Sequence, residues 1–373
     1  MLFVRLFMDD GGRWPLVSVV IPAHNAEETI GATLESVLGQ SYGNFEVIVV
    51  DDGSTDGTAG LVEEVALRDV RVRLVRQVRG GVAAARNAGI ERTSGVYVAP
   101  IDADDVWHPQ RLELHVAALE REGEDTGVVY SPYYRIDALG RERSRSYLYY
   151  EKGDVFELQL ATNLVGNGSG MMMRAACLES VGCYDTSLHE AGAQGCEDYL
   201  LQLKLAHQFK FVCVPQYLIG YRSHRRNMSR NGVRMARSQV LMYRHVQERY
   251  GASGDYFDRG YGNTLSMLTL RVCRASGAVA GFRELKANLQ SWRQFWYFMR
   301  STVEVFVVKF QKLVMPGIFY WAEGWMRLRH ERRALKQYEE DLAGRGEAGQ
   351  RVARRESGDV SAGAQGSEIA GKD

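Results

Sequence analysis

Long apolar runs are missing from this chain of 373 residues. No stretch of about 18 uncharged apolar residues occurs, so the sequence holds no transmembrane helix. A surplus of charge is missing too. The 46 Lys and Arg balance 46 Asp and Glu, whereas a globally basic nucleic-acid binder needs a positive surplus to meet phosphate backbones. No nucleic acid is expected among the partners. Cysteine is scarce: five residues, an odd number without C-x-x-C spacing, which excludes a disulfide framework and suits a reducing cytoplasm. The opening, Met1 to Met8, is apolar but short and runs into Asp9 and Asp10, which a secretory signal does not tolerate there. What is present is ordinary for globular protein, with 45% hydrophobic and 25% charged residues. The length exceeds one average domain and falls short of three.

From Val17 to Ile101 one rhythm repeats, a short β-branched run, a polar turn and a helical pattern. The runs are Val17 to Ile21, Phe45 to Val50, Val72 to Val75 and Val96 to Ile101, and continuous apolar runs of this kind are strands buried on both faces. Helical patterns at Glu27 to Leu38, Thr58 to Leu67 and Val82 to Glu91 make the crossovers. Alternation of this kind predicts an α/β fold with a mostly parallel sheet and ligands at the carboxyl ends of its strands. Residues 106 to 233 mix helices such as Pro109 to Arg121 with short strands and a Gly-rich loop at Gly166 to Gly170. From Met235 to Glu340 nearly everything is helical in pattern, broken at Pro316 and Gly317.

Polar residues gather where the strands end. Pro22-Ala23-His24-Asn25 follows the first, Asp51-Asp52-Gly53-Ser54 the second and Asp102-Ala103-Asp104-Asp105 the fourth. In a parallel sheet these ends share one edge, and converging carboxylates invite a cation. In extended backbone residues i and i+2 point the same way, so Asp102 and Asp104 should face a common site while Asp105 sits at the turn. Hard oxygen ligands suit Mn²⁺ or Mg²⁺, which commonly share one or two carboxylates with substrate phosphates. A nucleotide diphosphate is the ligand this edge implies. The plainer reading, that Asp51, Asp52, Ser54 and Asp56 cap the helix near Thr58, stands beside it for Ser54 and Asp56.

These motifs, with Ala85-Arg86-Asn87-Ala88-Gly89-Ile90 between them, resemble the GT-A fold family 2 glycosyltransferases in order, spacing and strand context over about residues 16 to 225. The resemblance implies a nucleotide-sugar donor, a divalent metal and inversion at the anomeric carbon. It implies donor contacts at Pro22, Ala23, His24, Asn25, Asp52, Asp102, Ala103 and Asp104, with Asp52 on the base or ribose. Asp104 and Asp105 become metal ligands. Gly182-Cys183-Tyr184-Asp185 is similar to the family's Gly-Gly-Phe-Asp turn, and Glu197-Asp198 looks like its Glu-Asp motif, which makes Asp198 the catalytic base. An attacking acceptor hydroxyl must lose its proton, and a positioned carboxylate supplies a factor of about 10² to 10⁴. Glu197 takes a supporting role at the acceptor or caps the helix that follows. Tyr221-Arg222-Ser223-His224 resembles the family's Tyr-Arg-x-His loop. There His224 adds a metal ligand, and Arg222 and Arg225 meet the diphosphate unless they are solvated surface. Gly80-Gly81 reads as a loop, Gly166, Gly168 and Gly170 as the floor under the acceptor, and Met171 to Met173 as strand core.

The resulting organisation is an extension over 1–15, a glycosyltransferase domain over 16–233 with a nucleotide-binding half (16–105) and an acceptor-binding half (106–233), a helical region over 234–342 and a disordered tail over 343–373. In the helical region Phe295 to Phe298, Val305 to Val308 and Ile318 to Trp321 are interleaved with Arg300, Glu304, Lys309 and Lys312. Charges at that spacing forbid a span. They suit peripheral contact of 295–330 with the inner face of the cytoplasmic membrane, or packing against the chain itself or a second subunit of a homodimer. The processive synthases' Gln-x-x-Arg-Trp signature is missing, so transfer of a single sugar to a glycan or lipid-linked acceptor is the expected reaction. A nucleotidyltransferase lacks support, because the Gly-rich phosphate loop after the first strand is absent. A glycosidase, or a non-catalytic nucleotide-sugar-binding or membrane scaffold protein, is the rival class.

Overall fold

The computed structural model describes residues 14–190, 195–224, 227–228, 231–314 and 323–343. Residues 1–13 of the expected extension, Arg225, the run Ile318 to Trp321 and residues 344–373 of the expected tail lie outside them. The first half alternates strand and helix: β1 (Val17–Ala23), α1 (Ile30–Leu38), β2 (Phe45–Asp52), α2 (Thr58–Arg68), β3 (Val72–Gln77), α3 (Val82–Ile90) and β4 (Tyr97–Pro100). Then come β5 (Val106–Trp107), α4 (Arg111–Arg121), β6 (Thr126–Tyr130), β7 (Tyr133–Ile136), β8 (Glu142–Arg145), α5 (Phe156–Ala161), β9 (Met171–Arg174), α6 (Ala175–Ser180), α7 (Ser187–Glu190), α8 (Glu197–Ala206), β10 (Lys210–Cys213) and β11 (Ile219–Arg222). Then follow α9 (Gly232–Tyr250), α10 (Asp255–Ser276), α11 (Ala278–Asn288) and α12 (Trp292–Val314).

Seven strands form the main sheet in the order β10-β6-β9-β4-β1-β2-β3, parallel except where β9 runs antiparallel between β4 and β6. The predicted α/β class is the one observed. Every residue of β1 is buried, as a strand covered on both faces requires. Helix α1 buries Ile30, Thr33, Leu34 and Val37, the i, i+3, i+4, i+7 stripe of an amphipathic helix. Gly89 brings α3 close to the sheet, because a Cβ there would fall 2.5 Å from Val20 Cγ1. That close approach fixes where Arg86 and Asn87 project.

A second sheet, β5-β11-β7-β8, was not anticipated. Its strands have only two to four residues, too few to show a period. The helices after Gly232 are tied to the α/β part through one core. Tyr199, Leu200 and Leu203 of α8 pack with Val240 and Tyr243 of α9 and with Phe257, Tyr261 and Leu265 of α10. The described residues up to Val314 belong to one compact unit, and 323–343, which is helical, belongs to a second.

Candidate active site

The loops after β1 and β2 are knitted together. Asn25, at a left-handed φ of 51°, donates its N–H to Ser54 Oγ (3.0 Å) and accepts from the Thr55 N–H (2.8 Å). His24 Nδ1 lies 2.9 Å from the Asp52 carbonyl. Pro22 and Ala23 are the buried end of β1. Asp56 accepts from the Thr58 N–H (3.0 Å), so at that position the capping reading describes the geometry. Asp52 is buried, and its carboxylate accepts from Gln77 Nε2 (2.8 Å) and from the N–H groups of Gly80 (2.7 Å) and Gly81 (2.9 Å). The two glycines read as a loop in sequence are therefore donors, and they set Asp52 at the N-terminus of α3, where the helix dipole favours an anion.

The acids after β4 converge by a different route from the alternation expected of extended chain. Residues 102–105 form a turn closed by the Asp105 N–H on the Asp102 carbonyl (3.0 Å). Oxygens of Asp102, Asp104 and Asp105 lie within 4.8 Å of one another. Asp105 is fully buried, accepts from Ser169 Oγ (2.6 Å) and the Arg222 N–H (2.8 Å), and is pushed well above the usual carboxylate range by burial and by the neighbouring Asp104 and Asp102. Asp104 faces His224, whose Nε2 lies 2.8 Å from Asp104 Oδ2. Three hard oxygen donors and an imidazole in this space fit a small divalent cation.

Arg86 of α3 ties this cluster to α8. The guanidinium is fully buried, donates to Asp102 Oδ1 (2.6 Å) and Glu197 Oε1 (2.8 Å), and lies 5.0 Å over the Tyr184 ring. Burial opposes its charge, but Asp102, Tyr184, Glu197 and Asp198 hold its pKa well above the usual value. Gly168 leaves it room: a Cβ there would stand 2.6 Å from Arg86 Nη2. Asn87 exchanges two amide hydrogen bonds with the backbone of Tyr184 (2.8 and 3.0 Å) and so holds the Gly182–Asp185 turn.

Asp198 is partly exposed in the first turn of α8 and accepts the Tyr199 N–H (2.7 Å). Desolvation and the adjacent Glu197 raise its pKa to about 7, the range a general base needs near neutrality. The residue before that helix, Cys196, has φ 117°, a conformation costly for a side-chain-bearing residue and found where surroundings impose it. No sequence signal marked Cys196 or Ser169. The hydroxyl of Ser169 also receives the Asp102 N–H (3.0 Å), bridging two acids of the cluster.

Arg222 is buried and its guanidinium donates to backbone carbonyls, Nε to Asp104 (2.7 Å) and Nη1 to Ala138 (3.1 Å). That side chain braces the acid turn against the β7–β8 hairpin. Arg222 also lines a cleft of about 700 Å³, with Glu28, Glu35, Val106, Ile136 and Leu139 among others. The cleft contains neither Asp102 nor Asp198, so it is not where the acids act.

A mostly parallel sheet with acids, a buried arginine and a near-neutral aspartate at its carboxyl edge defines a GT-A type α/β protein. Residues 18–179 match the model of glycosyl transferase family 2. The putative teichuronic acid biosynthesis glycosyltransferase TuaG of Bacillus subtilis is 45% identical over 100 residues, 26% of this chain and 40% of that one. The UDP-Glc:alpha-D-GlcNAc-diphosphoundecaprenol beta-1,3-glucosyltransferase WfgD of Escherichia coli is 40% identical over 105 residues, 28% of this chain and 41% of that one. The chain thus matches less than half the length of both relatives. S. aureus TarS 1-349 in complex with UDP-GlcNAc superposes with a TM-score of 0.52 at 16% identity, over 73% of this chain and 90% of that one. The mannosyltransferase PcManGT from Pyrobaculum calidifontis, in complex with GDP-Man and Mn²⁺, does so with 0.52 at 21% identity, over 79% and 86%. At these identities the structures support the fold alone.

Proposed function

We propose that the protein is an inverting glycosyltransferase that moves a single sugar from a nucleoside-diphosphate sugar to the hydroxyl of a glycan or lipid-linked acceptor. The observation that carries this reading is Arg86, which joins the acid turn after β4 to the start of the helix bearing Asp198. Asp198 takes the acceptor proton as the acceptor oxygen attacks the anomeric carbon, and the bond to the diphosphate breaks with its electron pair leaving on the diphosphate oxygen. One displacement inverts the centre. Glu197 and Arg86 orient the helix start, and the loops at His24, Asn25 and Asp52 receive the nucleoside. Asp104 and His224, with Asp102 and Asp105 beside them, would hold Mn²⁺ or Mg²⁺. The ion, when bound, neutralises charge on the leaving diphosphate. Arg222 serves this chemistry as a positioning residue through the carbonyl of Asp104. Arg225 remains a candidate for diphosphate contact.

The name of WfgD states a UDP-Glc donor and a diphosphoundecaprenol acceptor, and we extend only the classes to this chain, a nucleotide sugar and a lipid-linked or glycan hydroxyl. Such an acceptor places the work at the inner face of the cytoplasmic membrane. The test is transfer by the full chain from UDP- and GDP-sugars with Mn²⁺, wild type against Asp198→Asn. A fall in kcat of about 10² or more with donor affinity retained is expected. A variant within a few-fold of wild type assigns the base elsewhere, and donor binding without turnover in the wild type supports the non-catalytic alternative.

A further inference from the structure

Five of the apolar residues that α12 leaves exposed recur at spacings of three and four, Trp292, Trp296, Met299, Val303 and Phe306, with Val307 and Val308 exposed beside them. That spacing places them in one stripe along the helix. Trp292 is 81% exposed, Trp296 66% and Phe306 60%. The other side of the helix is occupied. Gln294 and Phe298 are buried, Ser266 and Thr302 share a 2.9 Å hydrogen bond, and Gly262 of α10 admits the α12 backbone so closely that a Cβ there would stand 2.8 Å from the Gln294 carbonyl. Packing against α10 therefore directs the stripe away from the core.

Charge narrows what covers it. Residues 278–314 hold six basic side chains (Arg283, Lys286, Arg293, Arg300, Lys309, Lys312) against two acids, in a chain whose total charge is zero. Both acids are paired, Glu284 with Arg237 and Glu304 with Arg300 at 2.9 Å. Two copies meeting stripe to stripe would set one basic surplus against another. An anionic lipid surface accepts the surplus, and indole rings beside arginines suit the headgroup level. No described helix is long and apolar enough to cross a membrane.

We infer that the Trp292 to Phe306 stripe of α12 is a docking surface for an anionic bilayer, with the helix lying in the plane of the interface. The inference shares its membrane location with the proposed function and none of its chemistry. Flotation of the full chain with vesicles of phosphatidylglycerol and phosphatidylcholine, and of phosphatidylcholine alone, tests it. The protein floats with the anionic vesicles at low salt, less at high salt, and not with the neutral ones. A Trp296→Ser/Phe306→Ser variant partitions on the order of ten-fold less or weaker, with its melting temperature and nucleotide-sugar turnover unchanged. Wild type that stays at the bottom with anionic lipid at low salt, or a variant that floats equally well, overturns the surface. A dimer in light scattering that the double variant abolishes assigns the stripe to a second copy instead. Turnover is measured without lipid, so failure here leaves the transfer reaction standing.

Discussion

Asp198 is a carboxylate that two demands pull in opposite directions. As a base it must be ionised, yet desolvation and Glu197 raise its pKa to about 7. Activity should therefore fall as acidification protonates Asp198, checked by kcat/KM profiles. The stability consequence has a definite sign. A raised folded-state pKa favours folding while the group is protonated, and that contribution is lost as pH rises from about 4 through about 7. Asp198→Asn should then be more stable than wild type at pH 8, by on the order of 2 kcal/mol after discounting for partial exposure. The gap should close as pH falls toward 4. Arg86 gives a second prediction. In Gly168→Ala the new Cβ meets a guanidinium that two ion pairs and full burial prevent from retreating. Stability should drop by about 1–3 kcal/mol and kcat by at least about tenfold, measured by thermal melts and initial rates. Unchanged rates would mean that the Arg86 link does not position the base.

At the scale of elements, glycines decide which helices touch. Gly262→Val would wedge α12 from α10, because even the first added carbon stands 2.7 Å from Tyr297 Cβ and 2.8 Å from the Gln294 carbonyl. A loss of about 1–3 kcal/mol in chemical denaturation is expected. The shared core of α8, α9 and α10 has a related consequence. Removing α9 onward would expose Leu200 and Leu203, so shortening the chain near Gly232 should impair folding itself. The strand and helix pattern up to Ile101 was legible because strands buried on both faces leave continuous apolar runs and amphipathic crossovers leave a helical period. The second sheet was not, since β5 has two residues and β11 four.

For the molecule as a whole, ligand linkage is the expected readout of donor and metal. UDP or GDP with Mn²⁺ should raise the melting temperature, by about 2.7 kcal/mol of stabilisation at a hundredfold excess over Kd, and chelator should remove the gain. Asp104→Ala should melt cooperatively without nucleotide yet lose the metal-dependent increment. An increment that survives chelator or this substitution would remove Asp104 from metal binding.

Sequence alone determined that acids and polar turns gather at one edge, because parallel strands joined by helical crossovers put all their carboxyl ends together. It also determined the helical character of the region after Met235, which α9 to α12 and 323–343 display. Only the tertiary structure decided how those acids divide their work. Arg86 finds Glu197 across 111 positions of chain, Asp105 is buried as a brace between Ser169 and β11, and Asp52 is held by Gln77 and the amides of Gly80 and Gly81. Local spacing sets a residue's element and its end of the strand. The partner of a buried charge is set by which elements pack against it, and that is a property of the closed fold.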